Sequence, residues 1–290
     1  MPTKILHLSD LHVGKTEKDD ANLVRIVESV SKNKALQTNK PVIVITGDIV
    51  DDGEKEQFIR AKAILAPLYN NGFTVLPVPG NHDYGWNGNH AQEKRFRYLK
   101  DAFFGIENVT YPYIRQINGH AFIGLNSMKA EVGFWDGLLA DGELGKKQIH
   151  DTLGVLKKLE NRKPGQKVIL YLHHHPFLFP DDNIFERIGK KMTCWLKDGE
   201  ELMRQVSGRV DILLCGHEHR HLDFSGTELS RRYNVPAIFS SGKSTRSDTK
   251  EYRVADDGKA GDEILNTGLL GRMIEINDDG SVTSDTINFL

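Results

Sequence analysis

The sequence predicts an α/β protein of two stacked, mostly mixed β-sheets with helices packed outside them. Three observations predict it. Apolar runs alternate with stretches of helical spacing through the first hundred residues, the pattern of repeated strand–helix crossovers. Some of those runs are continuously apolar and β-branched, as strands covered on both faces are. About ten strands are legible along the chain, more than one open twisted sheet usually holds without splitting in two.

The elements follow in order. Ile5–Leu8 is a short apolar strand, and Asn22 to about Lys34 has helical spacing. Pro41–Thr46 reads as a strand buried on both faces. Glu54 to about Tyr69 repeats apolar residues at Phe58, Ile59, Ala63 and Leu65, a helix. Phe73–Val78 is a strand whose proline, Pro77, demotes it toward an edge. Gln92–Phe104 is helical again. Tyr113–Ile117 and Ala121–Asn126 flank Asn118-Gly119, a two-residue hairpin signal. A long helix spans about Glu143 to Glu160. Strands at Lys167–Leu172, Asp211–Cys215 and Ala237–Ser240 come next. Leu269–Ile276 and Ser281–Phe289 close a second hairpin around Asn277-Asp278-Asp279-Gly280. Residues 87–89, 128–140 and 177–196 read as loops that shape a pocket, and 242–267 as a polar, charged loop.

Bulk properties narrow the class. At 290 residues, 39% hydrophobic and 27% charged, the chain has the make-up of a globular protein, expected as a single domain over 1–290. A net charge of −2 gives no sign of a nucleic-acid tracking groove or an anionic-membrane surface. Cys194 and Cys215 lack the number for a disulfide framework and the spacing for a zinc knuckle. No signal core follows the N-terminus and no apolar stretch nears the ~20 residues of a membrane span, so the expected location is cytoplasmic.

Five short motifs stand at or just beyond strand ends: Asp10-Leu11-His12, Gly47-Asp48-Ile49-Val50-Asp51, Gly80-Asn81-His82-Asp83, His173-His174-His175-Pro176 and Gly216-His217-Glu218-His219. Strand ends of a layered sheet protein converge on one rim, so residues distant in sequence can build one site. An i, i+2 pair on extended chain points to one face, which suits two ligands on one ion. Singly, each motif also fits a hydrogen-bonded rim residue, and Asp83 fits a cap or turn. Five in order make a constellation of oxygen and imidazole ligands.

That order resembles the calcineurin-like metallophosphoesterase superfamily, whose pattern runs D-x-H, G-D-x-x-D, G-N-H-[D/E], H-x-P and G-H-x-H. The resemblance spans residues 10–219 and implies a four-layer α/β/β/α sandwich with a dinuclear centre. It implies that Asp10, His12 and His219 hold one ion and Asn81, His174 and His217 the other, with Asp48 bridging. With three histidines before Pro176, the fourth motif leaves the ligand open among His173, His174 and His175; the family's ligand lies two residues before the proline, which favours His174 and points His173 and His175 to core and rim. His82 is implied to be catalytic, protonating the leaving oxygen or stabilising the phosphoryl charge, with Asp51 orienting it. The implied chemistry is in-line attack on phosphorus by a hydroxide that two cations make available. Mixed oxygen and imidazole ligands without thiolate fit Mn, Fe, Zn or Co alike.

Departures from sub-patterns narrow the branch. Asp52 stands where protein serine/threonine phosphatases have a phosphate-binding arginine, and the two late histidines share one loop. The compact G-H-x-H is closer to small-molecule phosphodiesterases, cyclic-nucleotide enzymes among them, and to repair nucleases; charge disfavours the latter. The pattern also admits a phosphomonoesterase or a non-catalytic scaffold. Asn81 and His82, with Arg220 and His221, are candidate contacts for a substrate phosphate, the expected partner being a small phosphoester. Trp86, Trp135 and Trp195 fall in or beside pocket loops. Gly242-Lys243-Ser244 is not a nucleotide-binding loop, because Ala237 replaces the glycine required five residues earlier.

Overall fold

The computed structural model describes residues 2–85, 92–105, 109–128, 141–178 and 195–290. Two sheets dominate. The first has the order β13-β12-β1-β2-β3, where β1 is Thr3–Leu8, β2 Val42–Thr46, β3 Val75–Val78, β12 Leu270–Ile276 and β13 Val282–Asn288. Strands β1, β2 and β3 run parallel, and the C-terminal hairpin adds antiparallel to β1. The second sheet has the order β4-β5-β6-β7-β9-β8, built from Tyr113–Ile117, His120–Gly124, Val168–Tyr171, Ile212–Cys215, Ala237–Ser240 and the short β8, Leu222–Asp223. Its four inner strands are parallel and its two edges antiparallel.

Period-two alternation divides the apolar residues among three interlayers. On β2, Val42 and Val44 face the other sheet while Ile43 and Ile45 face helices; on β6, Ile169 and Tyr171 face the other sheet while Val168 and Leu170 face helices. Helices α1 (Glu17–Lys32), α3 (Lys55–Asn70) and α4 (Glu93–Phe103) cover the first sheet. Helices α5 (Gly145–Lys158) and α6 (Gly199–Val206) cover the second. The result is a four-layer α/β/β/α sandwich, as the resemblance implied. Thr16 caps α1 by accepting from the Asp19 N–H at 3.0 Å, with Glu17, Asp19 and Asp20 complementing the positive end of the helix.

Several expectations hold in detail. Pro77 lies in β3, an edge strand. Asn118 and Gly119 turn the β4–β5 hairpin with φ of +52° and +84°, as a mirror-image turn requires. Cys215 is buried in β7. Helices α2 (Lys34–Thr38), α6 and α7 (Glu228–Tyr233), and the short strand β8, were not anticipated.

One expectation fails. Residues 242–267, read as a loop, contain most of an antiparallel hairpin, β10 (Thr249–Val254) and β11 (Ala260–Gly268). Its strands lack an apolar stripe because polar bonds anchor them. Buried Glu251 accepts from Arg272 at 3.3 Å, from Thr286 Oγ1 and from Asn266 Nδ2. The expected pocket loops at 87–89, most of 128–140 and most of 177–196, with Trp86 and Trp135, lie outside the described residues.

Candidate metal centre

Strands β1, β2, β3, β6 and β7 all end at one rim, and the five motifs are the turns that leave them. The chain bends sharply there. Asp10, His12, Asp48, His217 and His219 all adopt positive φ, between +46° and +72°. Residues with a Cβ cost about 1 kcal/mol or more each in that conformation. Clustered at one rim, this strain turns side chains back over the strand ends. Neighbouring backbones approach closely in consequence. A Cβ on Gly80 would overlap Asp48 Oδ1, and one on Gly216 would overlap Ser9 Oγ. Gly216 is therefore needed for close approach; its φ is not positive.

The side chains converge in two adjoining groups. In the first, His219 Nε2 lies 3.2 Å from Asp10 Oδ1 and 3.3 Å from His12 Nε2. In the second, His173 Nε2 lies 3.0 Å from Asn81 Oδ1 and 3.1 Å from His217 Nδ1. Asp48 Oδ2 stands between the groups, 3.8 Å from His12 Nε2 and 3.3 Å from His173 Nε2. Its other oxygen accepts the His82 N–H at 2.9 Å. Metal–ligand bonds of ~2.0–2.2 Å leave ligand atoms around one ion roughly 3.0–3.6 Å apart, so these spacings fit metal coordination.

Proton positions give the stronger test. His173 Nδ1 donates to the Thr46 carbonyl at 2.7 Å, and His12 Nδ1 donates to the Asp51 carboxylate at 2.9 Å. Each ring therefore turns its Nε2, a lone pair in the neutral ring and a proton donor in the charged one, toward carboxylate, amide or imidazole groups. Buried acceptors aimed at one another need a cation between them. This second-layer hydrogen bonding, which fixes tautomer and ring orientation, is what metal-binding histidines have.

The electrostatics agree. Burial pushes His173 down, but the Asp48 carboxylate outweighs it and raises the ring to about 9, the mark of a cation-seeking position. Burial pushes Asp48 up, yet the surrounding imidazoles hold it well below the usual carboxylate range. Burial also raises Asp51, while hydrogen bonds from His12 and Lys15 overcome it and bring the group to about 2. Asp83 differs. Burial, then the Asp48 charge, pushes it up to about 7, and its oxygens accept backbone N–H groups of Val50 and Gly80.

Two of the three histidines before Pro176 enter the cluster, His173 and the expected His174 offering ligand atoms in one group with His217. His173, assigned to the core or the rim, points into the cluster beside Asp48 and Asn81. His174 is also buried there, its ring 4.4 Å from that of His217, and its Nδ1 is 2.7 Å from Ser127 Oγ. His175 turns away to Ser240 Oγ at 2.9 Å. Asp51 departs from expectation. His82 Nδ1 donates to the Asp51 backbone carbonyl at 2.7 Å, whereas the carboxylate lies 3.5 Å from that ring and 2.9 Å from His12.

Of the expected phosphate contacts, Asn81 and His82 stand in the cluster, and Arg220 follows His219 on the same loop, half-buried. His221 is fully buried and faces the interior, not a substrate. Two residues were missed. Ser127 lies just beyond the apolar run of β5, a rim position open to inspection. Lys15, whose amine is 3.1 Å from Asp51 Oδ1, carries no sequence signal of its own.

Such an arrangement, on a four-layer sandwich, defines a metallophosphoesterase. The chain belongs to the calcineurin-like phosphoesterase family, whose model matches residues 3–221, and is a metal-dependent phosphoester hydrolase. Among curated proteins it is 23% identical to the 3′,5′-cyclic adenosine monophosphate phosphodiesterase CpdA of Haemophilus influenzae, across 97% of this chain and 88% of that protein. It is 27% identical to a probable glycerophosphodiester phosphodiesterase, GpdQ, of Arcobacter nitrofigilis, across 74% of this chain and 71% of that one. Solved structures of similar fold include the Plasmodium inner-membrane-complex anchor GAP50, at a TM-score of 0.61 and 12% identity over 99% of this chain and 85% of that one. TT1561 of Thermus thermophilus scores 0.54 at 13% identity, over 86% and 93%. No helix among the described residues is long and apolar enough to cross a membrane.

Proposed function

We propose that the protein is a dinuclear phosphodiesterase acting on a small phosphodiester such as a cyclic nucleotide. The observation that carries this reading is the position of Asp48 Oδ2 between two groups of inward-facing ligand atoms. Asp10, His12 and His219 would hold one ion, and Asn81, His173 and His217 the other, with Asp48 shared. In this assignment His173 takes the place that the motif spacing gave to His174, because His173 has both its Nδ1 proton fixed and its Nε2 on Asp48. Two transition-metal ions, if held by these residues, would supply Lewis acidity and lower the pKa of water toward neutral.

The chain's own groups do the rest. His82 Nδ1–H is committed to the Asp51 carbonyl, which leaves Nε2 to hold or deliver a proton at the leaving oxygen. The Asn81 amide, fixed against His173, presents a dipole to phosphoryl charge. Asp51 orients His12 through its carboxylate and His82 through its backbone. The preference for a diester rests on the two phosphodiesterase-named relatives and on the compact Gly216-His217-Glu218-His219 loop.

The test is hydrolysis of a bis-aryl phosphodiester beside the aryl monoester, after chelation and reloading with Mn, Fe, Zn or Co. Faster diester turnover, with two metals bound per chain, is expected. Monoester preference would overturn the diesterase reading, and one metal per active chain the dinuclear one.

A further inference from the structure

At the edge of the metal cluster the Asp51 carboxylate is a junction. Its Oδ1 accepts from His12 Nδ1 at 2.9 Å and from Lys15 Nζ at 3.1 Å, and lies 3.5 Å from His82 Nδ1. Asp51 is buried, whereas the Lys15 side chain is 40% exposed. A half-exposed lysine otherwise extends into water, so a fixed pairing with a buried oxygen needs a cause in the chain.

The local fold supplies that cause. The Lys15 N–H bonds the His12 carbonyl at 3.1 Å, and Gly14, at φ +92°, directs its own N–H to Asp20 Oδ1 at 2.9 Å. Thr16 follows as the cap of α1, so the backbone of Lys15 is fixed on both sides. The acidic residues at the start of α1 are already engaged. Asp19 Oδ2 takes Lys243 Nζ at 3.2 Å and the Thr16 hydroxyl at 2.8 Å. Asp20 takes Arg60 at 3.0 Å besides Gly14. Lys243 is itself buried, carried in by a segment whose Ser244 N–H and Thr245 hydroxyl bond the Ser9 and Leu11 carbonyls at 3.0 Å. Its ammonium occupies Asp19 and repels that of Lys15, which turns Lys15 to Asp51.

We infer that Lys15 is a positioning residue: by holding Asp51 Oδ1 it keeps the carboxylate on His12 and so fixes that ring as a metal ligand. The inference rests on the reading of His12 as a ligand oriented by Asp51. An oxygen that accepts two donors from fixed directions has little freedom to swing. His82 Nδ1, whose proton is on the Asp51 carbonyl, is the alternative partner it would swing toward. Without the lysine the carboxylate can turn from His12 to His82. The His12 ring then loses the bond that aims its Nε2 at Asp48 and His219. An ammonium suits the task because a charged donor bonds a carboxylate about twice as strongly as a neutral one.

The test reads metal affinity. Cobalt(II) is returned to the chelated full chain and then competed with a chelator. Lys15→Met is expected to weaken its retention about three- to tenfold, less than loss of Asp51 itself, and to lower kcat at saturating metal by a smaller factor. Lys15→Arg, which restores a charged donor, is expected to bring affinity back to within about twofold of the wild-type chain. In an Asp51→Ala chain, where the lysine has nothing to hold, Lys15→Met is expected to change affinity by less than about twofold. A lysine that served only the fold would weaken both backgrounds alike and lower the melting temperature of each. Unchanged affinity in Lys15→Met, equal losses in the two backgrounds, or no rescue by arginine overturns the inference while Asp51→Ala still weakens metal. Wild-type affinity in Asp51→Ala overturns instead the orientation of His12 by Asp51, and the role of Lys15 with it.

Discussion

His173 Nε2 stands 3.3 Å from Asp48 Oδ2 while the opposite edge of the same ring donates to the Thr46 carbonyl. The ring is thereby locked with its Nε2 toward the carboxylate, whereas the His174 ring is held through its Nδ1 by Ser127. His173→Ala is expected to lose metal and turnover together. His174→Ala is expected to keep the metal stoichiometry with a smaller loss of rate. Metal analysis after gel filtration checks both; retention by the first variant and loss by the second would reverse the assignment.

The Asp51 carboxylate serves His12 at 2.9 Å more closely than His82 at 3.5 Å. Removing such a partner lowers metal affinity by about 10–100-fold in comparable sites. Asp51→Ala should therefore weaken metal binding by that order. His82→Ala should leave both metals in place and cut turnover by about 10²–10⁴-fold. Chelator competition and steady-state kinetics separate these effects. An Asp51→Ala protein with unchanged metal affinity and lowered turnover would return Asp51 to the His82 role.

Gly80 tests the close packing behind the cluster. Its backbone has no positive φ, so alanine meets no conformational penalty there; the conflict is a Cβ that overlaps Asp48 Oδ1 and stands 2.5 Å from the Asp48 nitrogen. One of those neighbours is backbone and cannot swing aside. Gly80→Ala is expected to displace the shared carboxylate and to lower metal affinity and turnover in parallel, with the melting temperature falling by several degrees. Wild-type metal binding in this variant would show that the loop yields freely.

Legibility in the sequence followed burial. Strands β2, β6 and β7 are covered on both faces, so their apolar runs stand out, and the motifs leaving them mark the rim. The same property left open which of the three histidines faces Asp48. A strand apolar on both sides carries no mark of which face meets the other sheet. In the structure Ile169 and Tyr171 face the other sheet, and the alternation continues to His173. Counting back from Pro176 could not show that. The β10–β11 hairpin was hidden for the opposite reason: its anchors are Glu251, Arg272 and Thr286, polar residues whose partners lie far apart in the chain.

His7 makes acid stability testable. It lies on β1, fully buried, with Nε2 2.9 Å from Thr46 Oγ1. Burial, reinforced by the Arg272 charge, lowers it from the ordinary histidine value to about 3. The unfolded chain therefore binds a proton at this residue below about pH 6.5 that the folded chain refuses until about pH 3. Its contribution to stability is complete above the unfolded value and is lost as pH falls through that window, at about 1.4 kcal/mol per pH unit once the unfolded residue is fully protonated. His7→Gln cannot titrate, so its stability should fall less steeply with acid, by up to one proton's worth of slope. Urea unfolding at a series of pH values between about 6.5 and 4, in chelator so that metal release adds nothing, compares the slopes. Equal slopes for the two proteins would mean that His7 accepts its proton in the folded state, and that the space between β1 and the opposite sheet is open to water.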